Sequence, residues 1–361
     1  MIRFTGVYML KVIGLDNESL WQETVKGFKN HDVFYLPQYT EPFRLHGDGE
    51  PLLFYYEADG LRAANVVMKR DIALAPPFTE RIPKGTYFDL STPYGYGGFM
   101  LEGATDEGAI RRMSRVYEDY CRDMGIVSEF VRFHPLLNNH VGLEPLYQII
   151  QMGRTITLDL SSSEIIYANI RKRTRNRIRK AQQYGLSVEM GCSPELFAQF
   201  ADLYTETMVR TGALPYYFFS PAFFECVRVG LPNNAMIFYA VCGGEIAAME
   251  LVLHCNGQMH SHLQASRRES QHLSPIPLMV YTEALWGFNH GYKHFHMGGG
   301  LGSSEDDDIF QFKNNFNRSS ATRFHTGRRI FSQEKYDTLL HIRAQESSEE
   351  SRPGFFPGYR A

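Results

Sequence analysis

Residues 245–266 read EIAAMELVLHCNGQMHSHLQAS. Two strand-like runs meet at Asn256-Gly257, a dipeptide that accepts positive φ at both central positions and so closes a two-residue hairpin. That turn sets the register, placing Cys255 opposite Gln258, Leu253 opposite His260 and Leu251 opposite His262. Glu250 then falls on the face away from His260 and His262, a lone acid in a strand otherwise apolar on both faces. Upstream, AMIFYAVCGG supplies a third strand. Downstream, SPIPLMVYTEALWGFNHG reads as a helix, KHFHMGG as a strand, DDDIFQFKNNF as a short helix opened by acids, and ATRFHTGRRIF as a last strand. On the N-terminal side, Ser161 to Ser163 are expected to cap a helix running to about Tyr184, followed by a second helix, PELFAQFADLYTETMVRTG.

The first half has a similar plan. LLFYYEADG and LRAANVVMKRDIA meet at Asp59-Gly60, another hairpin dipeptide, and lead through the loop LSTPYGYGGFM into the helix DEGAIRRMSRVYEDYCRDMG and the strand VSEFVRFHPLL. Each half thus has helices, a hairpin, a helix and a strand, which predicts a tandem α/β (α+β) chain with mixed, mostly antiparallel sheets flanked by helices. The expected divisions are 1–154, 155–342 and a flexible polar tail, 343–361.

A length of 361 residues suits two cores, and the 43% hydrophobic and 14% aromatic content can fill them. A formal net charge of −3 excludes a uniformly basic protein, so any contact with phosphate or nucleic acid must come from a local patch. The five cysteines stand apart without C-x-x-C pairs, which argues against a zinc site or disulfide framework and for a reducing, cytoplasmic setting. No stretch reaches the roughly 20 apolar residues that span a bilayer, so a soluble protein is expected, one able to work beside a membrane.

Four groups of residues carry the chemistry. NIRKRTRNRIRKAQQYG places seven basic residues within 171–180, with Arg171, Arg175 and Arg179 on one stripe; like charges at that spacing repel unless a polyanion or surface acids offset them. TPYGYGG (92–98) pairs Tyr94 and Tyr96 with glycines such as Gly97, suiting either a ligand-approaching loop or a structural turn with core tyrosines. Gly298 to Gly300 match no phosphate-binding fingerprint and are read as a strand end leaving room for a substrate, with Gly298 and Gly299 as candidate binding positions. Lys313, in IFQFKNNF, is an ammonium on an apolar, amide-rich helix and should have a partner; an outward-facing surface lysine is the alternative. Contiguous Asp306 to Asp308 and the scattered histidines give no recognisable ligand set, and no metal is expected.

TPYGYGG, RTRNRIRKAQQYG (173–185), LSPIPLMVYTEALWGFNHGYKHFHMGGG (273–300) and DIFQFKNNF (308–316) occur in the order and spacing of the FemAB-like aminoacyltransferases, which this chain resembles over about 90–335. The resemblance implies two tandem GNAT-like domains, the first (1–154) on the acceptor side and the second (155–342) binding the donor. It implies transfer of an aminoacyl or acyl group to an amine of a cell-envelope or polysaccharide precursor such as a peptidoglycan peptide. It places Arg175, Arg179 and Lys180 at recurring basic positions, the Tyr94–Tyr96 loop near the acceptor, and Phe312-Lys313 at the transfer centre, with Lys313 stabilising charge on the carbonyl oxygen. Fold analogy makes Glu250 the candidate base, with a structural ion pair as the alternative.

The chain shows no long coiled-coil insert of the kind some relatives use to hold tRNA. Aminoacyl-tRNA and acyl-CoA therefore both stand as co-substrates, with no tightly bound cofactor expected. Two other readings stay open: an acyl-CoA-dependent N-acetyltransferase of a small amine or amino sugar, and a non-catalytic RNA- or phosphate-binding module.

Overall fold

The computed structural model describes residues 2–5, 8–300, 304, 306–317, 321–346 and 354–361. The chain forms two compact units: unit 1, Met1–Gln151 with Phe324–Ala361, and unit 2, Met152–Arg323. In chain order the first elements are β1 (Ile2–Thr5), β2 (Tyr8–Ile13), α1 (Glu18–Lys26), α2 (Pro37–His46), β3 (Glu50–Ala58), β4 (Leu61–Asp71), β5 (Phe88–Ser91), β6 (Met100–Gly103), α3 (Glu107–Asp123) and β7 (Ile126–Arg132). Then come β8 (Gln148–Asp159), α4 (Ser163–Asn169), α5 (Lys172–Gln183), β9 (Ser187–Gly191), α6 (Pro194–Thr211), α7 (Pro221–Gly230), β10 (Ala235–Cys242), β11 (Glu245–Cys255) and β12 (Gln258–Ser266). The last are α8 (Pro275–Asn289), β13 (His294–Gly298), α9 (Asp308–Asn314), β14 (Ala321–Ile330) and α10 (Gln333–Glu346).

In unit 1 the strands follow the order β1-β2-β3-β4-β5-β7-β14, and β6 also pairs with β4. The β3–β4 hairpin turns at Asp59-Gly60 as expected, with φ of 49° and 78°. The α3 helix starts at Asp106, whose side chain accepts the Ala109 N–H at 3.1 Å. Ile110, Met113, Tyr117, Tyr120 and Cys121, at helical spacing, bury one face of α3 with Phe54, Phe99 and Phe331. Fully buried beside this core is the carboxylate of Glu129 of β7, which accepts Asn65 Nδ2 at 2.9 Å and Tyr147 Oη at 3.0 Å.

Burial pushes the Glu129 carboxyl up to about 7, against the opposing hydrogen bonds from Tyr147 and Asn65. The raised value means the folded state binds a proton that the unfolded chain releases near its ordinary value of about 4.3. The stabilisation is therefore fully present below that ordinary value and is lost as pH rises through about 7. Glu129→Gln is expected to remove this dependence and raise stability at pH 9 by about 3 kcal/mol, read as a higher urea midpoint than wild type at that pH, with little difference at pH 5.

Among the described residues of the expected tail, 343–346 belong to α10 and 354–361 pack on unit 1. Residues 324–342, assigned from the sequence to the second domain, belong to unit 1, where Thr326–Ile330 of β14 pair antiparallel with β7 and α10 follows. Residues 347–353 lie outside the described residues. Beyond them Tyr359 is fully buried against Phe78 and Tyr336, and its hydroxyl donates to Asp89 at 3.1 Å. Arg360 Nε donates to the same carboxylate at 2.5 Å, opposite Arg70 Nε at 2.7 Å. The aromatic tip of a polar segment is what anchors it.

In unit 2 the order is β8-β13-β12-β11-β10-β9. The plan of unit 1 recurs: β9 to β12 run antiparallel, α8 crosses over, and β13 pairs parallel with β12, as α3 carries the chain from the β5–β6 region to β7, which is parallel to β5. β8 pairs antiparallel with β13, as β14 does with β7. The repeated order supplies the tandem architecture that the two halves of the sequence suggested. Buried Ile166, Ile170, Ile178 and Ala181 pack with Leu278, Met279, Phe238 and Val252 between the helices and the sheet.

The helix expected from Ser161 to about Tyr184 is two helices. Ser162 caps the first, accepting the Ile165 N–H at 3.2 Å, but Ile170 and Arg171 take extended ψ angles of 131° and 143°. The Arg171 N–H donates to the Asn315 carbonyl at 2.8 Å rather than into the helix. The break lets Ile170 enter the core, and the basic run starts a new helix whose buried face is only Thr174, Ile178 and Ala181. Among the described residues, no helix is long and apolar enough to cross a membrane.

Candidate active site

The site of unit 2 is built on the hairpin that opens at Asn256-Gly257. The turn has the expected positive φ, 46° and 80°, and pairs Cys255 with Gln258 and Leu253 with His260. Further along, the register shifts: Val252 pairs with Ser261, Leu251 with Leu263 and Glu250 with Gln264. His262 is the extra residue of this bulge, so Leu251 does not face it as the sequence register predicts. The consequence is chemical. In a regular strand, residues three apart point to opposite faces, but the inserted residue brings Ser261 and Gln264 onto one carboxylate. Ser261 Oγ and Gln264 Nε2, the latter at 2.5 Å, donate to the two oxygens of fully buried Glu250.

Past His260 and His296, the last β12–β13 register pair, a pocket of about 460 Å³ opens along β12. Its lining includes Ser261, His262 and Gln264 of β12, Met297 of β13, Arg210 of α6, and Phe312 and Lys313 of α9. Asp307 caps α9 by accepting the Phe310 N–H at 2.8 Å, which fixes the helix start and sends Phe310 into the core. Gly298 ends β13 at φ 72°, and Gly299 runs so close beneath that a Cβ there would sit 2.9 Å from the Arg154 carbonyl oxygen. These glycines deliver the Gly299 carbonyl to Lys313, whose Nζ donates to it at 2.7 Å.

Lys313 thus has the partner its sequence context demanded. Burial lowers its pKa to about 8, while the charges of Glu250 and Asp307 oppose the fall, so it remains an ammonium at neutral pH. Burial raises the pKa of Glu250, opposed by the Ser261 and Gln264 hydrogen bonds and by Lys313. Behind it lies Glu283 of α8, fully buried, with neither carboxylate oxygen hydrogen-bonded; burial and the Glu250 charge push its pKa well up. Two buried carboxylates in mutual reach do not both ionise. Glu250, with two donors and an ammonium facing it, is the anion, and Glu283 holds the proton. Burial and neighbouring His260 hold His262 down to about 3, so it adds no positive charge at the pocket.

The structure therefore brings Lys313, Phe312 and Glu250 together and puts Gly298 and Gly299 beneath them. Arg175, Arg179 and Lys180 lie elsewhere in unit 2, outside this pocket's lining. Arg179 Nη2 donates to Tyr167 Oη at 2.6 Å and Arg175 sits 5.1 Å from the centre of the same ring, while Lys180 lies over Tyr184. The Arg171 bond to Asn315 ties the start of this cationic helix to the end of α9, two residues past Lys313.

In unit 1 the TPYGYGG loop leaves the sheet after β5 and returns at β6, both of which pair with β4. Gly97 N–H donates to the Arg132 carbonyl at 2.8 Å, and Asn139 Nδ2 donates to the Gly97 carbonyl at 2.9 Å. Tyr39 Oη donates to the Tyr94 carbonyl, and the Tyr94 ring stacks on Phe43 at 5.8 Å. Tyr96 is buried edge-on to Phe34 and Phe324, and burial pushes its phenol up to about 12. Within unit 1, Tyr96 and Gly97 have the structural role that was the alternative reading, and Tyr94 keeps a half-buried ring.

Sequence reasoning missed Ser261, Gln264 and Glu283. Glu283 carried a usable signal: like Glu250, it is a single acid inside an otherwise apolar run, PLMVYTEALW.

The two units share the plan of a tandem GNAT-type fold, and the pocket lies in the second. Residues 168–314 match the family model described as an acetyltransferase (GNAT) domain, and the whole chain has the fold of FemAB-like proteins. It is similar to the crystal structure of FemX, with a TM-score of 0.66 and 14% identity over 91% of this chain and 99% of that one. It is also similar to the C-terminal domain of a putative lysylphosphatidylglycerol synthetase from Agrobacterium fabrum, with a TM-score of 0.54 and 12% identity over 90% and 96% of the two chains. L-PGS from Bacillus licheniformis gives a TM-score of 0.50 and 13% identity over 84% of this chain and 90% of that one. No curated protein matches the chain in sequence.

Proposed function

We propose that unit 2 transfers an acyl or aminoacyl group from a phosphate-bearing donor, aminoacyl-tRNA or acyl-CoA, to an amine of a cell-envelope or polysaccharide precursor in the cytoplasm. The observation that carries this reading is the Lys313 ammonium, held by the Gly299 carbonyl and the buried Glu250 charge at the wall of an open pocket. An amine nitrogen attacks the donor carbonyl, the bond to the leaving oxygen or sulfur breaks, and Lys313 donates to the carbonyl oxygen as negative charge develops there. The exposed basic face of α5 supplies cations for the phosphates of donor or precursor. The likeness to FemX and to lysylphosphatidylglycerol synthetases supports an aminoacyl group and an envelope acceptor. The acetyltransferase family model supports the second reading, an acyl-CoA-dependent N-acetyltransferase of a small amine or amino sugar.

The test is a mass-shift assay pairing acetyl-CoA and aminoacyl-tRNA with a lysine-containing nucleotide-linked muramyl peptide, phosphatidylglycerol vesicles and glucosamine. Vesicles carrying phosphatidylglycerol extend the panel to a hydroxyl acceptor at a membrane surface. Product from one donor only identifies that donor; no product from any pair contradicts the acyl-transfer reading. Replacing Arg175, Arg179 and Lys180 together by alanine is expected to weaken binding of the active donor by about tenfold or more and to flatten its salt dependence, measured by titration at two ionic strengths.

A further inference from the structure

The proposed reaction leaves a proton to be removed from the attacking amine, and Glu250 cannot take it directly. Its carboxylate is fully buried, while Ser261 and Gln264, which bond to it, are the residues that line the pocket. An amide cannot pass a proton on without changing tautomer, whereas a hydroxyl accepts one proton as it gives up another. We infer that Ser261 is a catalytic residue that relays the proton of the attacking amine to Glu250, and that Glu283 is a positioning residue that keeps Glu250 anionic by holding the proton of the buried carboxylate pair.

This rests on the acyl-transfer reading. As the new C–N bond forms, the amine proton moves to Ser261 Oγ while the hydroxyl's own proton moves to the Glu250 oxygen it already faces. When the bond to the leaving group breaks, Glu250 returns a proton through Ser261 to the departing oxygen or sulfur. The enzyme ends as it began. The charged and titratable groups around Glu250 fit this cycle: Lys313 from α9 opposes its protonation, Glu283 from α8 carries the pair's proton and so adds no second negative charge, and neutral His262 at the bulge adds no charge. The bulge at His262 is what places a hydroxyl, rather than a strand backbone, between the pocket and the carboxylate.

Two arms test the proposal. In the first, Ser261→Ala and Ser261→Thr are compared with wild type on whichever pair of the panel turns over. Alanine is expected to lower kcat about 100-fold with KM little changed and to alter the solvent deuterium isotope effect, while threonine, which keeps the hydroxyl and suits a strand, restores most of the rate. Unchanged kcat in Ser261→Ala would overturn the relay while leaving the acyl-transfer reading intact. The second arm needs no substrate: infrared titration of the full chain follows the carbonyl stretch of protonated carboxyl groups. One band is expected to persist after the other carboxyl groups, Glu129 included, have ionised, and to vanish in Glu283→Gln. A second, from Glu250, should appear at higher pH in Ser261→Ala than in wild type. Identical titrations in all three proteins would overturn the proposal even if no panel pair reacts.

Discussion

Lys313→Ala is expected to lower acyl transfer by about 10²- to 10³-fold in kcat, the loss that follows removal of one donor to a developing oxyanion, or about 3–4 kcal/mol. Among the described residues Lys313 Nζ donates to the Gly299 carbonyl, and Glu250 acts on it through charge, so donor directions remain for the pocket it lines. Donor binding should be largely retained, since the cations of α5 are untouched. The contrast between kcat and binding separates a transition-state role from a ground-state one. Arginine is not expected to rescue, because its planar fork cannot occupy the same point beside Gly299. If transfer were equally lost when donor binding is lost, Lys313 would be a binding residue and the oxyanion role would fall.

Asp89→Ala is the second large effect, and it falls on stability rather than chemistry. Asp89 is fully buried and receives Arg70, Arg360 and the Tyr359 hydroxyl. Removing the carboxylate takes the shared acceptor from two partly buried guanidinium groups and a buried phenol, a change that costs about 3 kcal/mol. Burial alone would raise the Asp89 pKa, but Arg70 and Arg360 more than offset it and hold the carboxyl below its ordinary value. A depressed folded pKa contributes stability that is present above the unfolded value and lost as pH falls through the folded one. Wild type is therefore expected to lose this stabilisation only in acid, and Asp89→Ala to lack it at every pH, read by urea unfolding at pH 7 and pH 3. Equal urea midpoints for wild type and variant at pH 7 would contradict the anchoring role given to the C-terminal residues.

Much of the site was legible because local chemistry marks it. Asn256-Gly257 and Asp59-Gly60 can do little other than turn, and the strands beside them follow. Glu250 and Lys313 stood out as single charges in apolar runs, and they meet because such groups need one another. Ser261 and Gln264 were illegible because the bulge that gathers them has no glycine or proline to announce it; a register counted from the turn is right for Leu253 and wrong two residues later. The break between α4 and α5 depends on a long-range bond from Arg171 to Asn315, which no local window contains. The C-terminal return to unit 1 was hidden in the same way, since ATRFHTGRRIF names a strand without naming its partner, β7.

Competitive labelling of Lys313 with an amine-acetylating reagent, read by peptide mass across pH 6–11, tests the central assignment most directly. A midpoint near 8 is expected, with labelling suppressed when the active donor saturates the protein. A midpoint near the ordinary lysine value of 10.5, or labelling indifferent to every donor, would mean that Lys313 is a surface lysine and that this pocket is not where the acyl group moves.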